Sequence, residues 1–161
     1  MNFEKQSKIE KIGKNRERLL FLEKEGKFVF HGSPDVIDIL NPRQAENKNG
    51  ETGEMEKDGE PAVFATPYAD MAIFRALMDT KGVVGGSEST FGIDGQDLYF
   101  SATKNLLDQA NKKIGRVYVL DKEKFKNFEA MQCRSNESVT PVEVIEVTAE
   151  DLPENIKLIE Y

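Results

Sequence analysis

KFVFHGSP, residues 27–34, reads as a short buried strand that carries a histidine. Gly26 bounds the apolar run before it, and Gly32, Ser33 and Pro34 follow at once. His31 is the single histidine of the 161 residues. Upstream, residues 5–25 interleave Ile9, Ile12, Leu19, Leu20 and Leu22 with Lys, Arg and Glu. That pattern predicts an amphipathic helix, with Gly26 as its stop, either appended to the domain or packed on its core.

Downstream, residues 41–61 are polar, punctuated by glycine and without periodicity. They read as a long mobile loop, a feature that is uncommon in compact domains unless it serves function. AVFAT, residues 62–66, is the next short strand. Thr66 is placed to cap a helix, with Pro67 in its first turn. That helix runs to about Met78 and is apolar almost all round, which predicts burial on every side. A glycine-rich turn region follows at 81–90. FGI and LYFSA are strands about the tight turn DGQD, and NLLDQANKK is a short helix or turn. GRVYVLD (115–121) and VEVIEVT (142–148) are further strands, and a last short strand ends the domain. Helices fall early and strands late, which predicts an α+β fold and not alternating βαβ units. No internal repeat or linker divides the chain.

Composition narrows the function classes. Asp and Glu outnumber Lys and Arg by 29 to 22, for a net charge of −7. A duplex-DNA partner is disfavoured, although net charge leaves a local basic groove open. Cys133 is the single cysteine, so an intramolecular disulfide or a Cys/His zinc cluster is not expected. The first twenty residues are too charged for a secretory signal, and no apolar run approaches the ~20 residues of a membrane span. A cytoplasmic protein without metal is expected. There is no phosphate-binding G-x-x-x-x-G-K-[ST], and Gly82, Gly85 and Gly86 do not satisfy G-x-G-x-x-G. H-E-x-x-H and G-x-S-x-G are also missing.

Three stretches remain: FVFHGSP with His31, VFATPYADMAIFRAL with Phe64, and NESVTPVEVIEV with Glu137 at the entrance to a late strand. In that order they resemble the ADP-ribosyltransferase superfamily, whose signature is a histidine, an aromatic residue and a glutamate on successive core strands. GRVYVLD resembles the strand that precedes the third motif. The resemblance covers roughly residues 27–150. It implies a split β-sheet core over 27–161, with residues 1–26 as an N-terminal helix. It also implies NAD as a substrate and transfer of ADP-ribose to an acceptor that could be a protein, a nucleic acid or a small molecule. Many members with this signature carry Tyr where Phe64 stands here. Phe keeps the ring and loses a hydroxyl, and Tyr68 is a second candidate for the ring.

The chemistry assigns roles within that resemblance. Breaking the nicotinamide–ribose bond builds positive charge on the ribose, as in glycoside hydrolysis. Glu137 would stabilise that charge. His31 would hydrogen-bond a ribose hydroxyl. Gly32, without a side chain, would let the backbone approach the carboxamide, and Ser33 completes the motif. Phe64 would stack on the nicotinamide. The diphosphate needs a cation or a helix N-terminus, and Arg43 is the candidate. Two alternatives stand beside this one. The first is a catalytically inactive module of the same fold that binds NAD, ADP-ribose or a protein. The second is an RNA 2′-phosphotransferase-like enzyme, ranked lower because arginines beyond the first helix are few: Arg43, Arg75, Arg116 and Arg134.

Overall fold

The computed structural model describes residues 13–48 and 51–160. The fold is α+β, with strands and helices in the order α1 (Lys14–Glu25), β1 (Phe28–Ser33), β2 (Arg43–Lys48), β3 (Met55–Ala65), α2 (Ala69–Leu77), β4 (Ser89–Asp94), β5 (Asp97–Thr103), α3 (Lys104–Ala110), β6 (Gly115–Asp121), β7 (Cys133–Ser135), β8 (Glu143–Val147) and β9 (Ile156–Ile159). These strands form three small sheets, ordered β1-β6-β8, β2-β3-β7 and β4-β5-β9. All pairings are antiparallel except β5 with β9.

β1-β6-β8 is the central sheet. Its alternate residues feed two cores, as a period of two requires. Phe30, Val117, Val119, Ile145 and Val147 face α1 and α2. Val29, Tyr118 and Leu120 pack on the other side against Val63, Ala65 and Cys133 of the second sheet. α2 is covered on both sides. Ala72, Ile73 and Ala76 meet the central sheet, while Met71 and Phe74 meet Phe100 of the third. This double cover is the physical reason for its all-round apolar sequence.

The close approach of α2 depends on two strand glycines. A Cβ on Gly32 would overlap the Ala72 carbonyl, and one on Gly115 would lie 2.6 Å from the Ala76 carbonyl oxygen. β1 therefore runs on through Gly32 and Ser33, which pair with Val117 and Arg116. Gly32 is a packing residue inside the strand and not its terminator.

α1 is built into the same core. Leu19 and Leu22 are buried against α2 and the central sheet. Gly26 ends the helix in the left-handed conformation at φ 70°. The part of the expected helix before residue 13 lies outside the described residues. Distant carboxylates cap both helices. Asp151 accepts from the Arg16 backbone N–H at 3.1 Å, and Glu23 from Ala69 N–H at 2.6 Å. Arg16 grips Asp70 through both carboxylate oxygens at 2.9 and 3.0 Å.

Two local expectations need correction. Residues 41–61 are not a loop but most of a hairpin, β2 against β3. Its outer part from 51 to 57 is exposed on both faces, so no buried face imposes a readable alternation. Thr66 does not cap α2. The N-cap position is Tyr68, and Thr66 Oγ1 instead accepts from Tyr68 N–H at 3.2 Å within the preceding turn.

Candidate functional site

The central and second sheets, packed through their side chains, are also joined by a backbone bridge. Phe30 and Thr66 exchange two backbone hydrogen bonds of 2.8 Å. Beside this joint, His31 of β1 and Phe64 of β3 come into direct contact from the two sheets. The imidazole Nδ1 lies 2.7 Å from the Phe64 carbonyl oxygen. A carbonyl can only accept, so Nδ1 carries the proton and the neutral ring leaves Nε2 as an acceptor. Burial pushes the His31 pKa below its ordinary value of 6.5. The Phe64 hydrogen bond opposes that shift, and the charges of Arg75 and Arg43 reinforce it. The ring is therefore neutral at pH 7.

His31 and Phe64 form a ridge shared by two adjoining clefts. The first, about 280 Å³, is closed by Thr66, Met71 and Arg75 on the α2 side, by Phe91 of β4, and by the turn Glu129–Gln132. That turn is tied by the Glu129 N–H to the Gln132 carbonyl at 2.8 Å. The second, about 220 Å³, has an apolar floor of Leu40, Ala62 and Val63 and a polar rim of Ser33, Asp35, Asn41 and Arg43. Its rim is pinned from the central sheet. The Tyr118 hydroxyl donates to the Asp35 carbonyl at 2.5 Å and accepts from Ile37 N–H at 2.7 Å, and Arg116 donates to the Pro34 carbonyl at 3.1 Å.

The sequence candidates separate in three ways. His31, Phe64, Gly32, Ser33 and Arg43 come together at the clefts. Arg43 does so from strand β2, where it pairs with Ala62, and not from a loop. Gly32 lines the first cleft, but its missing side chain answers to the Ala72 carbonyl. Tyr68 is absent from both clefts, because it precedes α2 and packs with the third-sheet core. Glu137 is exposed, in a separate depression with Lys124 and Lys126. Its neighbour Ser138 donates its hydroxyl to Asn41 Oδ1 at 2.8 Å, while Glu137 lines neither cleft.

Arg75, Arg134 and Glu129 complete the surroundings. Arg134 is the register partner of Phe64, and its guanidinium carbon lies 5.3 Å from the Phe64 ring centroid. The α2 N-terminus is already engaged by Glu23, which leaves arginines as the cations of the site. Arg75 and Arg134 sit at no motif spacing from His31, so their convergence had no signal in the chain. Cys133 is fully buried, and burial raises its thiol pKa to about 11, which rules it out as a nucleophile at neutral pH. Among the described residues no group of three or more His, Cys, Asp or Glu could hold a metal ion. No helix of the described residues is long and apolar enough to cross a membrane. No family model, curated protein or solved structure matches the chain.

Proposed function

We propose that the protein binds NAD across the His31–Phe64 ridge and moves its ADP-ribosyl group to an acceptor. The observation that carries this is the convergence of an imidazole and an aromatic ring, from strands 33 residues apart, between two adjoining clefts with an arginine in each. A dinucleotide has two ring systems joined by a charged diphosphate, and two clefts flanked by guanidiniums suit that shape and charge. The placement of His31 and Phe64 on two separate sheets is also compatible with a split-sheet core of the ADP-ribosyltransferase type.

In this proposal His31 Nε2 accepts a hydrogen bond from a ribose hydroxyl. Phe64 stacks on a ring, and Arg43 and Arg75 take the diphosphate. Nicotinamide departs with the electron pair of the C1′–N bond, and the ribose is left electron-poor. A carboxylate beside it stabilises that charge. Of the carboxylates the sequence offers, Glu129 lines the first cleft, so it takes the role first expected of Glu137. Asp35 lies in the second cleft.

Nicotinamide release measured with calorimetric NAD binding tests this. His31→Ala should weaken binding. Glu129→Gln should retain binding and slow release by ~100-fold, the scale of one preorganised electrostatic partner. Glu137→Gln should release at the wild-type rate. Wild-type protein that binds NAD without releasing nicotinamide would leave a non-catalytic binding module, and failure to bind NAD would end the proposal. The gathering of Arg43 and Arg75 about His31 and of Arg134 over Phe64 favours one second reading, an enzyme that removes a 2′-phosphate from RNA using NAD. Incubation with a 2′-phosphorylated oligonucleotide separates the two.

A further inference from the structure

Three arginines stand at the ridge of an acidic protein, with Glu129 in the first cleft and Asp35 in the second. Ion pairs of the described residues include Arg16–Asp70, Arg18–Glu143, Lys104–Asp108 and Lys113–Asp79. Arg43, Arg75 and Arg134 belong to none of them, although carboxylates outnumber cations in the chain. Arg134 is half-buried and lies over one face of Phe64. Arg75 and Arg43 flank the same ridge from the two clefts.

A cation on one face of an aromatic ring draws on its π density. A second cation stacked on the opposite face would face the first across the ring. In a partly desolvated site that repulsion weakens binding by about tenfold. A neutral ring in the same place meets no such opposition. Resting on the dinucleotide-binding reading above, we infer that the open face of Phe64 selects by charge: with Arg134 behind the ring, it holds a neutral ring in preference to a cationic one.

Oxidised and reduced nicotinamide dinucleotides test this directly, because the oxidised ring is a pyridinium cation and the reduced ring is neutral. The selection also acts on the proposed reaction. When the C1′–N1 bond breaks, its electron pair stays with nitrogen and the pyridinium becomes neutral nicotinamide. The positive charge passes to C1′ until the acceptor's nucleophile bonds there. The guanidinium behind Phe64 thus disfavours charge on the ring before cleavage and tolerates the released product.

Calorimetric titrations of NAD and NADH at low salt would compare wild type with Arg134→Gln and Arg134→Lys, with circular dichroism confirming the fold of each. NADH should bind wild type about tenfold tighter than NAD. Arg134→Gln should shrink that ratio at least threefold, mainly by tightening NAD, and Arg134→Lys should keep it. Equal affinities in wild type, or a ratio unmoved by Arg134→Gln, would overturn the charge selection and leave dinucleotide binding standing. Wild type that binds neither nucleotide would overturn both. Nicotinamide release that stays blank while the ratio holds would sink only the transfer reaction.

Discussion

His31 donates Nδ1–H to a backbone carbonyl on the neighbouring sheet, and this bond sets its tautomer, while burial sets its charge. Burial and two nearby arginines hold its pKa below 6.5 in the folded protein. An unfolded chain takes up a proton near 6.5, so over the interval below that value the unfolded state binds more protons than the native one. Stability then falls as pH drops from 6.5 towards the folded pKa and rises as pH increases through the same window. Because His31 is the single histidine, its ring protons titrate alone in an NMR spectrum. The expected native pKa lies below 6.5, and a value above 6.5 would refute the neutral-acceptor assignment. Urea denaturation at pH 7.5 and 5.5 should show a smaller pH effect in His31→Gln than in wild type. The lone histidine and the Phe64 ring could be picked out from the chain. Arg75, Arg134 and Glu129 could not, because their meeting with His31 depends on folding and not on spacing.

At the scale of elements, α2 is the pivot, and its packing turns on residues too small to attract notice. Gly32 and Gly115 present bare backbone to the Ala72 and Ala76 carbonyls. Gly115→Ala should cost ~1–3 kcal/mol by overpacking, and Gly32→Ala more, since its Cβ would overlap backbone that cannot yield alone. Denaturant melts of both variants check the order, and a Gly32→Ala protein as stable as wild type would contradict the contact. The N-terminus of α2 depends on Glu23, whose carboxyl pKa is raised, mainly by burial. Glu23→Ala should destabilise by ~1 kcal/mol, the usual worth of an N-terminal cap, while Glu23→Gln keeps an acceptor and loses less. The strands β1, β6 and β8 were readable from their apolar runs. The β2–β3 hairpin was not, since its outer part from 51 to 57, exposed on both faces, leaves no hydrophobic period. Three-residue β7 is shorter than any pattern can mark.

For the whole molecule, α1 does not stand apart from residues 27–161. Leu19 is fully buried, and Arg16, Glu23 and the helix N-terminus are each bonded to other elements. Leu19→Ala should lower stability by ~2–5 kcal/mol. Thermal melts of that variant check this, and a loss near zero would restore α1 as an appendage. The charge distribution gives a second expectation at this scale. The chain is net −7, yet each cleft is lined by an arginine, Arg75 beside Glu129 in the first and Arg43 beside Asp35 in the second. Binding of an anionic nucleotide should therefore weaken several-fold between 50 and about 500 mM salt, as screening shortens to a few ångströms. Affinity independent of salt would place the ligand's charge elsewhere.

The chain by itself determined which segments are buried and in what local form. Apolar runs, glycine stops and an all-round apolar helix are short-range consequences of hydrophobic burial and backbone sterics, and they were enough for an α+β class. Only the tertiary structure decided what the cleft contains. Bringing Arg43, Arg75 and Glu129 to the clefts and Arg134 to Phe64, and leaving Tyr68 and Glu137 elsewhere, follows from how three sheets and α2 pack together. Long-range packing of that kind leaves no periodic trace along the sequence.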